Sequence, residues 1–108
     1  MTQNAAASTY RSSHVGLCVS DLERALRFYR DGLGFTEVAH YELDEQIPEV
    51  DAPCSLTATI IEKGGLRFEL LAYSKPGVIG KPHHRRNNLG LTHLSFFAGR
   101  HRCRRRGD

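Results

Sequence analysis

Residues 14–20, HVGLCVS, alternate with a period of two, so Val15, Leu17 and Val19 fall on one face of an extended chain and His14, Gly16 and Cys18 on the other. A strand with one core-facing side is predicted there. In SDLERALRFYRDGLGF the period changes: Leu22, Ala25, Leu26 and Tyr29 recur at helical spacing, Phe28 fits the same packing, and Ser20 with Glu23 reads as a capping box. Gly32 or Gly34 ends that helix. A second strand is predicted over 35–42, FTEVAHYE, before a polar loop with two prolines at 44–54. LTATIIE, at 56–62, is rich in β-branched residues, and Gly64 with Gly65 marks a tight hairpin into RFELLAY. Residues 14–73 therefore form one β-α-β-β-β unit. A connection over 74–90, longer than most within a compact domain, leads into a further predicted strand at 91–98, LTHLSFFA.

Composition changes this picture little until the charges are placed. A chain of 108 residues, 40% hydrophobic and 25% charged, has the make-up of one ordinary globular domain, with no apolar run long enough to span a bilayer. Residues 1–13 read as a loose N-terminal arm lacking the apolar segment of a secretory leader, which predicts a cytoplasmic protein. Cys18, Cys54 and Cys103 show no CxxC spacing and suggest neither a disulfide framework nor a zinc ribbon. The net charge of +3 comes from residues 99–108, which hold five arginines against one aspartate, so the body is close to neutral. No recognition helix or aromatic platform accompanies that tail, and nucleic acid is not the expected partner.

Three residues of metal-ligand type stand in strands. Glu69 lies inside LRFELLA on the face opposite Leu66, Phe68 and Leu70, where an unpartnered carboxylate is costly and must meet a cation, a donor or a metal. His14 opens the first strand, and His93 sits within LTHLSF beside Leu91, Ser95 and Phe97. The residues alone leave two readings open: a metal site, or structural histidines with Glu69 paired to an arginine such as Arg67 of a neighbour. His40, His83, His84 and His101 lack a comparable setting, and Cys18 reads as a small lining residue. Lys75, Lys81, Arg85 and Arg86 in the long connection could attract an anion, with a solvated linker as the plainer reading. No Ser-His-Asp set or phosphate-binding glycine loop is present.

The stretch HVGLCVSDLERALRFYRDGLGF, with RFELLAY and then GLTHLSF, resembles the vicinal oxygen chelate superfamily over about 14–98; this superfamily includes glyoxalases, bleomycin-resistance proteins and extradiol dioxygenases. The resemblance implies an α+β fold: a complete first βαβββ module plus the first strand of a truncated second one. In that superfamily two modules form a cup around a divalent metal. Carried onto this chain, the resemblance places metal ligands at His14, Glu69 and His93, with Glu69 also the catalytic proton carrier, while the family's fourth ligand has no counterpart. It implies a glyoxalase-like isomerase, epimerase or lyase that stabilises an enediolate-like anion of a small oxygen-bearing substrate with Zn, Ni, Co, Mn, Mg or Fe. A metal-free ligand-binding protein of the bleomycin-resistance kind, an Fe(II) extradiol dioxygenase and an inactive truncated fragment are the alternatives. With all but the first strand of the second module missing, the expected partner is a second copy: a homodimer could present His14 and Glu69 twice around one metal. No membrane partner is expected.

The tail reads as an anomaly. Written with CGN arginine codons and shifted by one base, GRHRCRRRGD can encode the acidic turn and helix start that the family carries there, so residues 99–108 read as translated out of frame, with a genuine basic tail as the alternative.

Overall fold

The computed structural model describes residues 9–47, 50, 53–82 and 85–97. The expectations for His83, His84, His101 and the 99–108 tail lie outside the described residues, as does most of the N-terminal arm.

The first strand, β1, spans Val15–Cys18 and begins one residue after His14. A short α-helix follows, α1, Leu22–Leu26. Its N-cap is Asp21, not Ser20: Asp21 is extended at φ −145° and ψ 102°, and its Oδ1 accepts from the Arg24 amide at 3.1 Å. The expected Ser20–Glu23 box is displaced by one residue because the cap is the extended residue whose oxygen reaches the amide three positions on. From Arg27 to Gly32 the helix widens into π geometry, closed by the Leu33 amide donating to the Phe28 carbonyl at 3.0 Å. Gly34 takes φ 85° just before the buried Phe35, a conformation costly for any residue with a Cβ.

Strand β2 spans Thr36–Gln46, β3 Pro53–Lys63 and β4 Leu66–Lys75. The β2–β3 ladder absorbs both ends of the loop expected at 44–54: Glu45 lies opposite Cys54 and Gln46 opposite Pro53. Ser55 Oγ donates to Asp44 Oδ1 at 3.0 Å, and Cys54 Sγ to the Glu45 carbonyl at 3.1 Å, so polar side chains close the ladder there. Pro53 is tolerated because it is the first residue of its strand. At the other hairpin Gly64 and Gly65 both take positive φ, 57° and 84°, the requirement of a two-residue type I′ turn.

The sheet order is β1-β4-β3-β2, with β1 parallel to β4 and the other pairs antiparallel. This is the expected βαβββ module. One face carries α1. Phe68 and Leu70 of β4 and Ile61 of β3 are fully buried there with Leu26 and Phe35, and Leu17, Val19, Leu22 and Tyr29 close around them. Burial of each such side chain contributes about 1.5–3 kcal/mol. Phe35 stacks on Phe68 at 5.5 Å between centroids, with Tyr29 edge-on to both at 5.7 and 5.6 Å. Phe28, expected in the same packing, instead projects outward, because the π turn spends that position on the solvent side.

Residues 91–97, expected as a strand, adopt no strand here. An alternating sequence forms a strand only where another backbone satisfies its amides and carbonyls, and no ladder pairs with these residues. The segment rests against the core through Phe96, edge-on to Phe35 at 6.0 Å. Among the described residues no helix is long and apolar enough to cross a membrane.

Candidate functional site

Strand register decides which side chains meet on the face away from α1. Gly16 lies opposite Glu69 while Val15 lies opposite Phe68, so Glu69 shares a face with Gly16 and, by alternation, with His14 and Cys18. Ile60 lies opposite Glu69, and Ala58 opposite Tyr41. Tyr41 on β2 therefore reaches the same face.

The two oxygens of Glu69 have different partners. Oε1 is 3.2 Å from His14 Nε2, and Oε2 accepts a hydrogen bond from the Tyr41 hydroxyl. The carboxylate is only 15% exposed, against 41% for the imidazole, so these two contacts offset the cost of withdrawing a charge from water. Behind the ring, Ser13 Oγ lies 2.8 Å from His14 Nδ1. A hydroxyl both donates and accepts, so Ser13 serves either tautomer of His14. The Tyr41 hydroxyl is pushed up to about 12, first by its hydrogen bond to Glu69, then by burial and by the nearby carboxylate charge. It stays a donor over the whole physiological range.

His93 is not joined to this pair. Its Nδ1 lies 2.9 Å from Thr92 Oγ1, and among the described residues no three His, Cys, Asp or Glu side chains gather as a metal cluster. Arg67, an alternative partner for Glu69, instead binds Glu62, Nε to Oε1, at 2.9 Å. His40 serves structure: its Nδ1 is 2.9 Å from Thr59 Oγ1, the polar partner of a hydroxyl buried on the helix side. Cys18 is exposed and walls a groove of about 410 Å³ with Ser20, Val78, Ile79 and Lys81, so the long connection crosses the end of β1.

The βαβββ order and the carboxylate–imidazole pair on its open face stand beside a match of residues 11–101 to the family described as Glyoxalase/Bleomycin resistance protein/Dioxygenase superfamily. The chain belongs to that superfamily, the vicinal oxygen chelate superfamily. No curated protein and no solved structure matches the chain. The region matched to the glyoxalase superfamily contains His14, Tyr41, Glu69 and His93.

Within this glyoxalase-type module, His14 Nε2 and Glu69 Oε1 are the two donors that could hold one side of a divalent cation. Two donors each about 2.0 Å from a tetrahedral ion lie about 3.3 Å apart, and His14 Nε2 and Glu69 Oε1 are separated by 3.2 Å. One neutral nitrogen and one carboxylate oxygen suit Zn, Ni or Co better than the all-oxygen set of calcium. Two donors do not saturate such an ion.

Tyr41 and Ser13 escaped the sequence reading. Ser13 could have been found by adjacency to His14, but Tyr41 is 28 residues from Glu69 and joins it only through the register of three strands.

Proposed function

We propose that this chain supplies half of a divalent-metal site and that the protein is a glyoxalase-like metalloenzyme acting on a small oxygen-bearing substrate. The observation that carries this reading is the 3.2 Å approach of His14 Nε2 to Glu69 Oε1 on the face away from α1. A divalent cation bound there supplies Lewis acidity toward substrate oxygens. His14 holds it through Nε2, with Ser13 steering the ring from Nδ1. Glu69 takes a proton from the carbon beside the substrate carbonyl and returns it to a neighbouring atom, the proton balance of an isomerase or epimerase. Tyr41, fixed on Oε2, keeps the carboxylate turned toward His14.

The remaining ligands come from a second copy of the chain, which brings another His14 and Glu69 to the same ion. The test is metal titration with sedimentation equilibrium. A dimer holding one Zn²⁺ per two chains is expected, with binding abolished in His14→Ala and Glu69→Gln. A monomer that takes up no divalent cation overturns this reading.

One observation favours a second reading, a metal-free binding protein. Glu69 already has a partner on each oxygen, so the pair is satisfied with no cation present. A small ligand held equally by the unaltered chain and by Glu69→Gln would select it.

A further inference from the structure

We infer that Tyr41 is a positioning residue that makes Glu69 offer a single oxygen, Oε1, to a cation, and thereby sets which cations the site accepts; this rests on the metal reading above. Tyr41 stands on the edge strand β2, and β3 lies between it and Glu69 on β4. Ala58 lies opposite Tyr41 and Ile60 opposite Glu69, so only small or aliphatic side chains separate them on this face and the long phenol spans the gap. The hydroxyl proton goes to Oε2.

A carboxylate that grips an ion with both oxygens must turn both toward it. Here the oxygens point apart: Oε2 toward β2, and Oε1 toward His14 beside β1 at 3.2 Å. Turning Oε2 to the His14 side breaks its hydrogen bond to Tyr41, so Glu69 binds through one oxygen. Single-oxygen ligation beside an imidazole suits small ions of low coordination number, such as Zn²⁺. Calcium, which needs six to eight oxygens and gains from two-oxygen carboxylates, is disfavoured. Tyr41 is 37% exposed, so its ring can be altered without opening the core under α1.

The test compares dissociation constants for Zn²⁺ and for Ca²⁺, by calorimetric titration of the full chain and of Tyr41→Phe, with far-UV circular dichroism confirming the fold. In the phenylalanine variant the ratio of the Ca²⁺ to the Zn²⁺ dissociation constant falls by about tenfold or more, the scale on which partners of metal ligands act. A residue that only supports the strand would weaken both ions alike, and an unchanged ratio overturns the inference while leaving the metal reading intact. If the unaltered chain takes up neither ion, the metal reading fails and Tyr41's role in it falls too. Should the phenylalanine variant not fold, Tyr41→Leu, which also lacks the hydroxyl, carries the same comparison.

Discussion

Tyr41 and Glu69 sit on strands that are not neighbours, 28 residues apart, yet the tyrosine hydroxyl donates directly to the carboxylate. His14 occupies the other oxygen of the same group. The arrangement is a chain of three side chains drawn from β2, β4 and the residue before β1.

The first consequence is a pH dependence. The hydrogen bond to Glu69, then burial, then the charge of the carboxylate push the Tyr41 pKa from 10.0 up to about 12. The folded state thus holds this proton more tightly than the unfolded chain. The stabilisation is complete below about pH 10 and is lost as pH rises from there through about 12. Titrating tyrosinate absorbance should show a late-ionising tyrosine that disappears in Tyr41→Phe. A titration with no ionisation delayed above the ordinary tyrosine range would refute the contact.

Glu69→Gln keeps the shape and an acceptor for Tyr41 but removes the charge. Stability by urea denaturation is expected to change by only about 1 kcal/mol, the scale of one altered hydrogen bond, while Zn²⁺ binding drops to background. A loss of several kcal/mol would mean that Glu69 holds the fold together instead of serving a site.

The core makes a sharper demand. Phe68 is fully buried against Phe35 and Tyr29, so Phe68→Ala should cost about 3–5 kcal/mol. Phe96 is 46% exposed and touches the core at Phe35, so Phe96→Ala should cost well under half of that. Equal losses in denaturant melts would show that residues 91–97 are as integral to the core as β4.

At the β3–β4 hairpin, Gly65 has φ 84° and a Cβ there would meet nothing within 4 Å. Gly65→Ala therefore carries backbone strain alone, about 1–2 kcal/mol. A neutral thermal shift would contradict the type I′ turn.

The helix start offers a paired comparison. Asp21→Ala removes the oxygen that caps the Arg24 amide and should cost about 1 kcal/mol, with Ser20→Ala close to neutral. The reverse order would return the cap to Ser20.

What the sequence determined by itself is local and periodic. Alternation in HVGLCVS and RFELLAY set His14, Gly16 and Glu69 against the core-facing residues, and helical spacing set Leu22, Ala25, Leu26 and Tyr29 on one side. The paired glycines dictated the hairpin, since few other residues take two successive positive φ angles. The tertiary structure decided what depends on register between strands distant in sequence. Parallel pairing of β1 with β4 put Glu69 beside Gly16 and within reach of His14, and two antiparallel ladders carried Tyr41 across to it. The same dependence explains residues 91–97, whose alternation states a preference that no neighbouring backbone here fulfils. Side-chain period is a property of one segment, whereas convergence on a carboxylate needs several segments to fall into register at once.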